Sequence, residues 1–152
     1  MRKLLLSVCL GLVLGGCGSS VTAEERVKTT GTDSRRLEIQ LTGVLGREGN
    51  VVLAVYDNQD AFDREGVPLA WVSVPAQSKS FVFTDFPSGN IAVAAFHDTN
   101  RNGEYDMQGD TPLEGWGHSG NISSWTEPSY EAAVTDQDII RVQMRYYTGG
   151  QL

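Results

Sequence analysis

The sequence predicts an all-β fold, a single antiparallel β-sandwich of about seven strands, and three observations predict it. Apolar and polar residues alternate in several short runs from residue 37 onward. Clusters of Gly, Pro, Asn and Asp separate these runs, as hairpin turns require. No stretch of ten or more residues carries a helical period, and only 58–64 and 129–134 offer weak helical candidates.

Taken in order, Leu37, Ile39 and Leu41 alternate with Glu38, Gln40 and Thr42, the period of a strand with one buried face. Gly46 to Asn50 supply a turn, and residues 51–56 (VVLAVY) are apolar on both faces, as a central strand should be. Asp57 to Gly66 form a polar connection that contains Phe62. Residues 67–74 (VPLAWVSV) read as a strand at a sheet edge, because Pro68 has no N–H to donate. Phe81 and Phe83 alternate with Ser80, Val82 and Thr84, Pro87-Ser88-Gly89 is a turn, and residues 91–96 are again strand-like. The last strand is 139–146, where Ile140, Val142, Met144 and Tyr146 alternate with polar residues. Leu53, Phe81, Val93 and Val142 are expected in the core. Residues 97–128 break the pattern: they are polar and rich in Gly, Asp and Asn, and a loop this long in a small domain is usually functional or ordered by an ion.

Upstream of the strands the chain reads as an export precursor. Arg2 and Lys3 precede an apolar run, residues 4–14. That run is far short of the roughly 20 residues a membrane-spanning helix needs, but it suits the core of a secretory signal. The exit, Leu14-Gly15-Gly16-Cys17, resembles the lipobox of bacterial lipoproteins, in which the Cys thiol is acylated. The expected organisation is a signal over 1–16, a lipidated Cys17 with a flexible tether over 17–36, and the sandwich over 37–152. Gly18, in place of Asp, favours the outer membrane by resemblance to known sorting rules. The expected localisation is therefore the cell envelope, with the domain tethered to the membrane by the Cys17 lipid. Residues 18–36 are polar and aperiodic, and as a random chain they have a root-mean-square span of roughly 25 Å.

Cys9 leaves with the signal and Cys17 takes the lipid, so the folded part has neither thiol nor disulfide and must rely on its core or on an ion. Removing 1–16 leaves ten basic against nineteen acidic residues, a net charge of −9. Such a surface disfavours nucleic acid and anionic headgroups and attracts cations.

The segment Asp98-Thr99-Asn100-Arg101-Asn102-Gly103-Glu104-Tyr105-Asp106 has the form D-x-N-x-N-G-x-x-D. Oxygen-bearing side chains recur at every second position and a Gly follows the third, the spacing by which calcium loops wrap backbone around an ion. The expected ligands are Asp98, Asn100, Asn102, the Glu104 carbonyl, and Asp106 directly or through water, with Asp110 close behind. An EF-hand carries a bidentate Glu at its twelfth position; here that position is Gly109, and the flanks are not helical. The loop is closer to the Asx-rich calcium loops of extracellular β-modules, where affinity is weak. An Asx-Gly turn that needs no metal has the same composition.

Glu114, Trp116, His118 and Trp125 define a second candidate, a ligand surface for a glycan or a peptide. A hydrolase acting through His97, Asp98, Glu114 and His118 is a third. No Ser lies in a G-x-S-x-G elbow and no Cys is left for nucleophilic work, so a non-enzymatic role is expected.

The segments FPSGNIAVAAFHDTNRNGEYD (86–106), PLEGWGHSGN (112–121) and PSYEAA (128–133), in this order, resemble the exported bacterial proteins catalogued as domain of unknown function 2141. Asn90-Ile91 stands where an aromatic residue commonly follows the Gly in that family. The resemblance implies a transthyretin-like or immunoglobulin-like β-sandwich and no established activity.

The lipobox makes the first testable prediction. Cys17→Ser should abolish lipid attachment and cleavage at residue 17. Mass spectrometry of the membrane fraction reads both, and an unmodified wild-type N-terminus cut elsewhere would contradict the assignment.

Overall fold

The alternating runs become two sheets that share one apolar cluster. The computed structural model describes residues 26–27, 33–64, 66–120 and 128–149; the signal, Cys17 and Trp125 lie outside the described residues. Its strands are β1 (Arg26–Val27), β2 (Ser34–Thr42), β3 (Asn50–Tyr56), β4 (Ala70–Pro75), β5 (Ser80–Pro87), β6 (Ala92–Asp98), β7 (Met107–Gln108), β8 (Thr111–Pro112), β9 (Trp116–His118) and β10 (Ile139–Gln143). One sheet has the order β1-β4-β3-β6-β9 and the other β10-β2-β5, while β7 and β8 form a small separate hairpin. The weak helical candidates are both real one-turn helices, α1 (Gln59–Asp63) and α2 (Tyr130–Ala133). Asn58 and Ser129 cap them by accepting the N–H of Ala61 and Ala132.

The core follows the period of two. Leu37, Ile39 and Leu41 of β2, Val51, Leu53 and Val55 of β3, Val72 and Val74 of β4, Val93 and Ala95 of β6, and Ile140 and Val142 of β10 all belong to one buried cluster. Phe83 and Phe86 of β5 close it, their ring centroids 5.1 Å apart. Of the four residues expected inside, Leu53, Val93 and Val142 are fully buried. Phe81 is only half-buried, because β5 is an edge strand; its ring packs edge-on against Phe83 at 4.8 Å.

Several details differ from the sequence reading. The pairing is antiparallel except that β10 lies parallel to β2, with Ile139 opposite Glu38 and Gln143 opposite Thr42. Alternation fixes which face is buried and is silent on strand direction. The domain also begins before residue 37. Ser34 and Arg35 pair with Pro87 and Phe86. The Arg35 guanidinium donates to the carbonyls of Asp136 (2.5 Å) and Gly89 (2.9 Å), tying the start of β2 to the segments that lead into β10 and β6. Residues 26–27 pair antiparallel with Ala70 and Trp71, so part of the segment read as tether adds to the sheet. Val67 and Pro68 precede β4 rather than opening it, and among the described residues β4 has only the two of β1 on its outer side.

The five-stranded sheet is apolar on its second face as well. Trp71, Ala54, Ala94 and His118 sit side by side across β4, β3, β6 and β9, and Ser73, Val52, Phe96 and Trp116 form the next row. The helices cover one end of this face: Phe62 of α1 meets Tyr56 edge-on at 5.4 Å and Tyr130 of α2 at 5.9 Å. Among the described residues no helix is long and apolar enough to cross a membrane.

Leu53→Ala, Val93→Ala and Val142→Ala should each lower stability by about 1–4 kcal/mol through lost burial and residual cavity. Urea titration measures this, and Phe81→Ala should cost less than Phe83→Ala because only Phe83 is fully enclosed.

Candidate functional site

β6 ends in His97-Asp98, and the Asx loop starts there. Asp98 is 3% exposed although it is a carboxylate. Its Oδ1 accepts the Asn102 N–H and its Oδ2 the Gly103 N–H, each at 3.0 Å, so the first loop position already organises the fifth and sixth. Two Asx turns carry the chain onward: Asn100 Oδ1 accepts the Asn102 N–H at 2.9 Å and Asn102 Oδ1 accepts the Glu104 N–H at 2.8 Å. Both amide groups then donate to one carboxylate. Asn100 Nδ2 reaches Asp106 Oδ2 at 2.6 Å, and Asn102 Nδ2 reaches the two Asp106 oxygens at 3.2 and 3.1 Å. Such tight winding requires left-handed backbone at Arg101 (φ 61°) and Gly103 (φ 78°). The Gly accommodates this freely, while the Arg is held there by its neighbours.

Glu114 is the second buried carboxylate, also 3% exposed. Its Oε1 accepts the Thr99 N–H at 2.8 Å and the Thr99 hydroxyl at 3.0 Å, and its Oε2 accepts the Asp106 N–H at 3.3 Å. One side chain therefore joins the first and last turns of the loop. This corrects the expectation that Glu114 belongs to an open ligand surface: its oxygens are spent on the loop backbone. Burying a carboxylate is costly unless hydrogen bonds replace its water, and here N–H and O–H donors do so. Among the described residues, the ion pairs Arg35–Asp138, Arg36–Glu38 and Arg64–Asp60 lie away from Glu114. Burial, and then the Glu114 charge, push the Tyr105 phenol above its ordinary range.

Of the predicted ligand set, Asp98, Asn100, Asn102 and Asp106 come together. Glu104 is exposed and joins the loop through its backbone N–H. Asp110 is exposed in the turn between β7 and β8, and none of the loop hydrogen bonds just described includes it. Among the described residues no three His, Cys, Asp or Glu side chains gather as a metal-holding group. The cluster consists instead of two Asp and two Asn side chains wrapped by backbone.

The two histidines lie on opposite faces of the sheet. His97 points inward, is 1% exposed, and has both ring nitrogens engaged: Nε2 with the Glu48 carbonyl at 2.8 Å and Nδ1 with the Tyr146 hydroxyl at 2.7 Å. A carbonyl can only accept, so Nε2 carries a hydrogen, and Nδ1 pairs with the Tyr146 hydroxyl. The Tyr146 oxygen in turn accepts the Leu45 N–H at 3.0 Å. The Tyr146 ring lies where a Cβ on Gly115 would stand, so only Gly fits beside it. His97, Tyr146 and Gly115 thus clamp the 43–49 loop and the C-terminal segment directly beneath the Asx loop. No local pattern of residues announces this clamp, nor the bond between Thr99 and a Glu fifteen residues away.

His118 faces outward from β9, half-buried, with its ring 6.5 Å from that of Phe62. Burial, and secondarily Arg145, push its pKa down to about 4. Trp116 is half-buried in the same strand, and its backbone exchanges hydrogen bonds with Arg145 at 2.9 and 2.7 Å. What the sequence presents as loop at 116–118 is therefore a strand. A paired role for His97 and His118 would require both to reach one substrate, and the sheet stands between them.

The chain matches the family model described as "uncharacterized protein conserved in bacteria (DUF2141)" over residues 39–139. No curated protein and no solved structure matches it.

His118 makes a signed prediction. Its pKa is lowered in the folded state, so between about 4 and the ordinary value of 6.5 the unfolded chain binds more protons. Its neutral form therefore favours folding above that window, and this contribution is lost as pH falls through it. NMR titration should keep His118 neutral at pH 5.5, and His118→Gln should flatten the acid limb of the stability curve. Titration of His118 near 6.5 would contradict its burial.

Proposed function

The chain belongs to this bacterial family of uncharacterised proteins, and we propose that it is a lipid-anchored, non-enzymatic module of the cell envelope. It is held to the outer membrane through Cys17, and its Asx loop takes up a calcium ion that orders the adjoining surface. The observation that carries the reading is the convergence of Asp98, Asn100, Asn102 and Asp106 in one tightly wound loop. An amide or carboxylate oxygen that accepts one N–H keeps a lone pair for a cation. A calcium ion would take the place of the Asn N–H donors on Asp106, while Asp98 keeps its backbone bonds and adds charge. Two carboxylates and two amides make a site of low charge count, suited to an extracellular ion concentration rather than a cytosolic one.

The surface concerned is the outer face of the five-stranded sheet. Tyr105, inside the loop, packs against Phe96 at 5.9 Å, and Phe96 pairs with Trp116. Fixing the loop therefore fixes the aromatic end of that face, where a glycan or protein ligand would meet Trp116. The non-enzymatic reading rests on the two histidines: His97 is enclosed and fully engaged, and His118 faces away from it.

With a dissociation constant of about 10 μM and about 1 mM free calcium, binding stabilises the fold by about 2.7 kcal/mol. For a domain of this size the melting temperature should rise by about 10 °C. Magnesium should do much less, since it demands a tighter octahedral shell and sheds water reluctantly. Asp98→Ala should abolish the shift. Equal melting curves in calcium and in chelator would reduce the loop to a metal-free Asx turn.

A further inference from the structure

The chain holds one Asn-Gly step, Asn102-Gly103, and it lies at the centre of the Asx loop. We propose that Asn102 is a self-modification site, at which the folded loop promotes hydrolysis of its own side-chain amide. Three contacts surround the reacting atoms. The Gly103 N–H, the nucleophile, is held by Asp98 Oδ2 at 3.0 Å. The Asn102 Oδ1 faces the Glu104 N–H at 2.8 Å. The departing nitrogen, Nδ2, is held by the Asp106 carboxylate at 3.1 and 3.2 Å. The Asx turn folds the Asn102 side-chain oxygen back over its own backbone to the Glu104 N–H, the residue after Gly103. Gly103 adds no side chain, and nothing crowds the position where a Cβ would stand. Asn102 is exposed, so water reaches it.

The chemistry balances without a cofactor. The Gly103 nitrogen attacks Asn102 Cγ, a C–N bond forms, and the N–H proton passes to Asp98 Oδ2. Negative charge grows on Oδ1, where the Glu104 N–H stabilises it in the manner of an oxyanion hole. The Cγ–Nδ2 bond then breaks, and the nitrogen leaves as ammonia with a proton returned through solvent. Water opens the resulting succinimide to an aspartyl or isoaspartyl residue. The net change is one water consumed and one ammonia released. The aspartyl product turns D-x-N-x-N-G into D-x-N-x-D-G, which adds a charged oxygen to the loop. The hydrolysis itself does not rest on calcium; only this consequence for ion binding rests on the proposed function.

The test follows Asn102 by peptide mapping of the purified full chain at mildly alkaline pH. It compares native protein in chelator, the same protein in urea, and native protein in calcium. Native protein in chelator should convert about tenfold faster than the urea-unfolded chain, because a positioned base typically contributes about 100-fold or more and the stiffness of the turn offsets part of that. Asn100 should lag behind Asn102 in the native protein. Asp98→Asn should bring the native rate down to the urea rate. A native rate no faster than in urea, or an Asp98→Asn protein that converts as fast as wild type, would overturn the proposal. Slower conversion in calcium supports both readings. Conversion unaffected by calcium, with the native acceleration intact, supports this inference and counts against the calcium site alone.

Discussion

Two buried carboxylates, one at the end of β6 and one just before β9, hold the polar half of this molecule in shape. Asp98 gathers the N–H groups of Asn102 and Gly103, and Glu114 gathers those of Thr99 and Asp106. Each side chain gives up its water for donors that belong to the loop. Replacing either by an apolar residue would strand backbone N–H groups, at a cost of about 1–3 kcal/mol for each one left buried and unpaired. The loop's path is therefore set by the positions of two acids, and those positions are set by the sheet. Asp98 is the last residue of β6, and Glu114 lies two residues before β9, which pairs with β6.

The same stretch is tied on its inner side by a different chemistry. His97, one residue before Asp98, passes a hydrogen-bond chain to Tyr146 and Leu45, and Tyr146 packs over Gly115, one residue after Glu114. The loop is thus strung between two neighbours of a buried clamp. On its outer side Tyr105 rests on Phe96 of the sheet's second apolar face. A change in the loop, such as the proposed ion or a new charge at Asn102, would act on a surface already linked to the core.

The fold was legible wherever one face of a strand is buried. Leu37-Ile39-Leu41 and Ile140-Val142 alternate because the core takes every second side chain, and VVLAVY lacks alternation because β3 is covered on both faces. The parallel direction of β10 was not legible, since a period of two is the same in either direction. Nor was β9, because Trp116-Gly117-His118 is too short for a period and its Gly serves close packing against Val142 and Gln143. The Asx loop announced itself through local spacing, and Asp98, Asn100, Asn102 and Asp106 do converge. Glu114 reads as a surface acid in the sequence, because its partners lie eight and fifteen residues away and only the chain reversal at β7–β8 brings them together.

Amide hydrogen exchange across residues 99–106 reads the role of the two buried carboxylates, because they act through four named N–H groups. In chelator the amides of Thr99, Asn102, Gly103 and Asp106 should be protected relative to those of exposed loop residues. Calcium should deepen that protection, and Glu114→Gln should remove it selectively at Thr99 and Asp106. Exchange of all four at open-chain rates, with calcium and without, would contradict the account.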